Sequence, residues 1–232
     1  MTATMTADAF TRLSRRQLAW CAAQAIPDGS YVNLGIGVPT LCANVMPADR
    51  EIVLHSENGV LGFGPAPAAG QEDRDLINAS KEYITMRPGG AFFMHTDAFV
   101  MIRGGHIDLA LLGAFEVSGT GDLANWTTGD RRFPPGVGGA MDLAVGAKAI
   151  WVLTEHTNKN GEPKIVDACK YPLTAAGVVR KIFTDLAEID VTPDGLLVRA
   201  MVPGLTLESL QAMTQPRLRL AEDCRTISAP AA

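Results

Sequence analysis

The chain has 232 residues, 47% hydrophobic and 19% charged, with a formal net charge of −5 and a pI near 5.4. That balance excludes a disordered chain, and with no Lys/Arg run longer than a pair it excludes a basic nucleic-acid surface. No apolar run approaches the roughly 20 residues of a membrane helix, and the first twenty residues lack the basic, apolar, small order of a secretion signal, so a cytoplasmic location is expected.

Residues 1–9 are small and polar and are expected to be loose. From Asp8 to Ile26, the apolar positions Phe10, Leu13, Leu18, Cys21, Ala22, Ala25 and Ile26 recur at helical spacing, and Pro27-Asp28-Gly29 ends the run. The segment 31–37 reads as a strand entering a glycine-rich turn. Residues 39–46 read as a helix with Pro39 in its first turn, and 51–55 as a second strand. Gly, Pro and Ala crowd 59–71, which predicts a structured loop. A short helix is expected at 98–105, an apolar central strand at 107–117, a loop leading into a helix start within 134–147 and another buried strand at 149–155. Thr174 is placed to cap a helix over 175–186. A hairpin follows around Pro193-Asp194-Gly195, and a helix at 206–213 closes the ordered part, leaving 226–232 as a tail. Strands alternate with helices, and the strands are apolar throughout rather than alternating. The expected fold is therefore α/β, one domain spanning 1–232, with an open, largely parallel sheet covered by helices on both faces.

Cys21, Cys42, Cys169 and Cys224 form no Cys-x-x-Cys pair, and His55, His95, His106 and His156 show no ligand spacing. Reduced thiols and no metal are expected. The stretch 35–40, "GIGVPT", has Thr40 where a dinucleotide fingerprint needs its third glycine, and there is no Walker lysine. The informative segment is Ser56-Glu57-Asn58-Gly59, which follows the strand at 51–55. A polar Asn-Gly turn with a solvated glutamate is the ordinary reading. Ligands of open α/β sheets, however, sit beyond the carboxyl ends of strands, where Glu57 stands. A bend behind a carboxylate also clears a path for substrate.

Seven blocks carry a more specific signal: "YVNLGIGVPT", "LHSENGVLGFGP", "DLINASKE", "MIRGGHID", "GDLANW", "GVGGAMDLA" and "KYPLT". Together, over about residues 12–210, they resemble the β (or B) subunit of the family I 3-oxoacid CoA-transferases, whose fold is related to that of sugar-phosphate isomerases. The resemblance implies that Glu57 is the nucleophile, attacking an acyl-CoA to give an acyl-glutamyl anhydride and then a glutamyl-CoA thioester. A carboxylate is ionised at neutral pH and needs no base to activate it. The resemblance also implies that backbone N–H groups of Gly139 and Ala140 stabilise the oxyanion, and that Gly138 makes their turn possible. Asn58 and Gly59 set the bend, and Asn33 and Gly37 are expected along the same crevice. Structural roles are favoured for His55, Arg103, Asp122, Asn125 and Trp126, and core filling for Met86, Met94 and Met101.

Coenzyme A is implied as a co-substrate, with no tightly bound cofactor. The family's "GGFG"-like loop is missing; Gly62-Phe63-Gly64 belongs to the β-subunit pattern. An α (A) subunit is therefore the expected partner, in an α2β2 assembly with the active site at their junction. Succinyl-CoA is the implied donor and 3-oxoadipate the implied acceptor, with acetoacetate as the alternative. A six-carbon diacid calls for a cation near its far end; Arg131 and Arg132 lie in a loop that could supply one, although a solvated loop face is the favoured reading for them. A non-catalytic subunit of the same fold is the reading from another class.

Overall fold

The computed structural model describes residues 10–129 and 136–231. Helix α1 (Arg15–Ala25) begins at a reciprocal cap: Gln17 N–H donates to Ser14 Oγ (3.3 Å), and Ser14 N–H donates to Gln17 Oε1 (2.9 Å). Then come β1 (Tyr31–Leu34), a 3-10 helix (Val38–Asn44), β2 (Val53–Ser56), β3 (Val60–Phe63), β4 (Met86–Phe92), α2 (His95–Arg103) and β5 (Leu109–Leu112). Short strands β6 (Glu116–Ser118) and β7 (Leu123–Ala124) precede α3 (Ala140–Gly146) and β8 (Ala149–Thr154). The chain continues through β9 (Ile165–Val166), β10 (Val179–Thr184), β11 (Ala187–Thr192), β12 (Gly195–Met201), α4 (Leu207–Ala212) and β13 (Leu218–Thr226).

Ten strands form one sheet in the order β13-β12-β11-β10-β8-β5-β1-β2-β3-β4. The five central strands, β10 to β2, run parallel, and antiparallel pairs extend the sheet on either side. The centre is covered on both faces, which is why its strands read as continuous apolar runs. Along β5, Leu109 and Leu111 pack towards α1 and the 3-10 helix, while Ala110 and Leu112 join the cluster that holds Ile102 of α2 and Leu143 of α3. A second sheet, β7-β6-β9, lies beyond the end of β5. The expected α/β sheet with helices on both faces is thus present.

Several local expectations change. The run 107–117 is two strands in different sheets, β5 and β6, separated at Gly113-Ala114. Residues 59–71 are not wholly loop, because β3 pairs antiparallel with β2 directly after the turn. The segment 175–186 contains a strand, β10, not a helix. Val179, Ile182 and Phe183 are buried between β8 and β11, a gain that outweighs local helix propensity. Thr174 is not a helix cap; its hydroxyl donates to Asn125 Oδ1 at 2.6 Å. After α4 the chain returns to the sheet as β13, an edge strand whose Arg219, Glu222, Asp223 and Arg225 obscure its apolar positions. The 39–46 helix is a 3-10 helix over Val38–Asn44, and Met94 is exposed rather than core.

Helices α2 and α3 approach closely at Gly146, where an added Cβ would lie 2.4 Å from the Ile102 carbonyl oxygen. Gly146→Ala is expected to force the two helices apart and to cost about 1–3 kcal/mol of stability, measured by denaturant unfolding.

Candidate active site

Strand β2 ends at Ser56, and Glu57-Asn58-Gly59 reverse the chain into β3. Gly59 N–H donates to Ser56 O at 3.0 Å, and Gly59 O accepts from Phe93 N at 3.0 Å. Only glycine fits here: φ is +105°, and a Cβ would meet Phe93 O at 2.1 Å. The loop 76–84 braces the turn from outside, where Asn58 Nδ2 donates to Ile77 O (2.7 Å) and Ala79 N donates to Ser56 Oγ (2.9 Å). Glu57 is left at the tip of a parallel strand with its carboxylate facing a cleft of about 470 Å³.

The cleft crosses the carboxyl ends of four adjacent strands. Glu57 stands at β2, Gly35 to Val38 at β1, Gly113 and Ala114 at β5, and Thr154 and Glu155 at β8. The loop entering α3, Gly136 to Ala140, forms one wall, and Phe115, Asn125 and Trp126 form another. A Cβ on Gly139 would lie 3.1 Å from Glu57 Oε2 and 3.1 Å from Phe99 Cζ, so the missing side chain is what admits the carboxylate. Gly138 has φ +54° and turns the chain into the helix. Gly139 N–H has no partner among the described residues, while Ala140 N–H makes a long bond of 3.3 Å to Val137 O.

Helix α2 links the turn to this loop through residues four apart, which share one helical face. His95 Nδ1–H donates to the Glu57 carbonyl oxygen at 2.8 Å, and the His95 ring meets Phe99 edge-on at 4.9 Å. Arg103 lies over Phe99, 5.5 Å from its centroid, and bonds Asp142 of α3 at 2.7 Å. Burial is the main influence on the Glu57 carboxyl and raises its pKa above the ordinary 4.5; His95 opposes the shift and Asp142 adds to it.

The structure therefore brings Glu57, Gly37, Gly138, Gly139 and Ala140 into one cleft. Asn33 is not there. It is buried at 2% exposure, and its Nδ2 lies 3.1 Å from His55 Nδ1, bracing β1 against β2. Asn58 and Gly59 shape the turn without lining the cleft. Arg131 and Arg132 lie outside the described residues. Sequence reasoning passed over His95, Arg15, Glu155 and Lys164. The first was signalled only by its spacing of four to Phe99 and eight to Arg103; the others come from distant segments and carried no local signal.

No cysteine, serine or histidine lines the cleft among the described residues, and its second carboxylate, Glu155, faces Arg15 at 3.5 Å and Lys164 at 3.9 Å. Burial pushes the Cys21 and Cys169 thiols up to about 11, and neither faces Glu57. His55 and His156 are buried and held near pKa 4 by desolvation. The His156 nitrogens lie within hydrogen-bond distance of Thr184 and Thr214, far from the cleft's reactive end.

A carboxylate at a strand tip, beside an open backbone amide and with no base to serve it, suits covalent chemistry on the carboxylate itself. Residues 16–212 match the coenzyme A transferase family, and the chain belongs to that family. It is 58% identical, over 88% of its own length and 94% of the relative's, to the B subunit of the 3-oxoadipate CoA-transferase of Acinetobacter baylyi. It is 49% identical to the B subunit of the succinyl-CoA:3-ketoacid coenzyme A transferase of Helicobacter pylori strain 26695, over 84% of its length and 93% of the relative's. The acyl-CoA transferase YdiF of Escherichia coli O157:H7 shares the fold, with a TM-score of 0.71 at 18% identity, covering 93% of this chain and 43% of that one.

The raised carboxyl pKa sets two expectations. The acidic limb of a pH–rate profile should lie above pH 4.5, because an attacking carboxylate must be ionised, and Asp142→Asn should move that limb to lower pH by removing a neighbouring negative charge. A carboxyl with a raised folded pKa withdraws stability as pH rises through that value. Glu57→Gln should therefore melt higher than the wild type at pH 7, with the gap closing near pH 4 in thermal unfolding.

Proposed function

We propose that this chain is the β (B) component of a two-subunit CoA-transferase that moves coenzyme A from succinyl-CoA to 3-oxoadipate through a thioester on Glu57. The observation that carries the reading is the Glu57 carboxylate held at the tip of β2, against the side-chain-free Gly139, while the cleft's other carboxylate, Glu155, faces the cations Arg15 and Lys164.

The Glu57 oxygen attacks the thioester carbonyl, the C–S bond breaks, and CoA leaves as a thiolate, giving a mixed anhydride. The thiolate then attacks the glutamyl carbonyl and expels succinate, which leaves the enzyme as a Glu57–CoA thioester. The carboxylate of 3-oxoadipate attacks that thioester, and the returning thiolate takes the new acyl group and frees Glu57. Each pair of steps exchanges one carboxylate for another on the coenzyme A sulfur, so the thioester's free energy is retained as long as water is kept out. Negative charge develops on the carbonyl oxygen at each attack. The Gly139 N–H, unpartnered among the described residues, is the donor assigned to that oxygen. The Ala140 N–H takes part by giving up its long bond to Val137. Partial burial of Glu57 strips water from the carboxylate and so favours attack over solvation. Coenzyme A enters as a co-substrate, and no resident cofactor is required.

An α (A) subunit is the proposed partner, in an α2β2 complex in the cytoplasm. Its docking is supported by an apolar ridge next to the cleft: Phe92 and Met94 ahead of α2, Val100 on α2, and Met141 and Val145 on α3 are all exposed. The Acinetobacter and Helicobacter relatives are each one subunit of a larger enzyme, which points the same way. No helix among the described residues is long and apolar enough to cross a membrane. Acetoacetate as acceptor is the second reading, favoured by the 49% identity to the 3-ketoacid enzyme's subunit. The ratio of kcat/KM for 3-oxoadipate to that for acetoacetate decides between them.

Incubating the two-subunit enzyme with succinyl-CoA, reducing with borohydride and sequencing by mass spectrometry is expected to mark Glu57 alone. Glu57→Ala should lower transfer by roughly 10⁴-fold or more. Transfer that survives this change, or a mark on another residue, overturns the assignment.

A further inference from the structure

The cleft is electrostatically lopsided. Glu57 is the charged group at its β2 end. Arg15, Glu155 and Lys164 meet at its β8 end, and among the described lining residues Arg15 and Lys164 are the cations. We propose that Lys164, assisted by Arg15, receives the remote carboxylate of a dicarboxylic acyl group whose other end reacts at Glu57. This rests on the CoA-transferase reading above.

Lys164 is held in place. Its N–H donates to His156 O (3.1 Å), and its carbonyl accepts from Val117 N (2.9 Å), so its backbone is pinned between the segment after β8 and strand β6. Its side chain is 13% exposed, and its ammonium donates to the Thr154 hydroxyl at the end of β8. Its nearest carboxylate, Glu155 Oε2, is 3.9 Å away, and that group also faces Arg15 Nε at 3.5 Å. The other acid nearby, Asp185, is already paired with Arg12 at 2.9 Å. Arg15 and Lys164 thus share Glu155, leaving one positive charge in excess on these three residues. Burial lowers the Lys164 pKa, the mark of an ammonium that has lost water without full replacement. A carboxylate entering from the cleft supplies the missing partner.

The spacing suits a short diacid. From β2 to β8 there are three strand intervals, β2-β1-β5-β8, or about 14 Å. Glutamate and lysine side chains are long enough to cover part of that distance. A four- to six-carbon chain, about 4–6 Å between end carbons, spans most of what remains. The recognition site would thus sit on the same scaffold as the reacting carboxylate, and the diacid would be read at both ends by one chain.

The test uses the two-subunit enzyme and the single-turnover rate of Glu57–CoA thioester formation. Two probes are compared: succinyl-CoA, and the same compound with its free carboxylate methylated. The wild type is expected to favour succinyl-CoA by about 10- to 100-fold, the range of a charge-assisted contact. Lys164→Met should erase most of that preference by slowing succinyl-CoA far more than the ester; Lys164→Arg should keep part of it, and Arg15→Met should reduce it less. A wild type that does not distinguish the two probes overturns the proposal without any variant. So does a Lys164→Met enzyme that slows both equally, which would place the lysine's role with coenzyme A or with folding. Absence of thioester from either probe in the wild type would instead mark failure of the CoA-transferase reading itself.

Discussion

The site depends on the close passage of Gly59 beneath the Phe93 carbonyl. The φ of +105° and the 2.1 Å that a Cβ would leave to that oxygen admit no side chain, and two backbone bonds fix the glycine between Ser56 and Phe93. With the turn held there, the backbone of Glu57 is fixed at the tip of β2. Its carboxylate projects from the strand tip into the cleft, partly stripped of water, and the rise in its pKa follows from that position. The turn places the carboxylate, and the loop entering α3 encloses it.

Helix α2 carries the constraint to the opposite wall. His95 fixes the Glu57 carbonyl, Phe99 packs where Gly139 lacks a side chain, and Arg103 ties the helix to Asp142 of α3. The three residues lie on one face because the helix returns to the same side about every four positions. The Gly139 amide is consequently set against the carboxylate by packing between helices and not by the loop alone. The same geometry explains why Asn33 does not serve the cleft. Side chains alternate along a strand, and Asn33 is used to hold His55 on the neighbouring strand beneath the turn.

Charge is distributed along the cleft in a way that suits acids with two carboxylates. An anion stands at one end and a partly buried cation at the other, separated by the width of four parallel strands. The ends of parallel strands lie on one edge of the sheet, so residues as distant in sequence as Arg15, Glu57 and Lys164 face a common space. Val100 of α2 and Met141 and Val145 of α3 are exposed.

Elements whose signals are local were legible in the sequence. The apolar runs of β1, β5 and β8, the Asn-Gly bend after Glu57, the hairpin at Pro193 to Gly195 and the glycine-rich entry to α3 each declare themselves within about ten residues. The candidate carboxylate was conspicuous at the end of a buried strand, but its local reading was a polar turn, and the family-like blocks spread along the chain were what singled it out. Tertiary structure alone decided that Val179–Thr184 is a strand, since its partners β8 and β11 supply the burial that favours extension over helix. It alone returned Leu218–Thr226 to the sheet edge and divided 107–117 between two sheets. It also decided that Gly139 meets Glu57 and that Lys164 shares their cleft. Those meetings are fixed by strand order and helix packing across the whole chain, and no short window of residues contains the energies that set them.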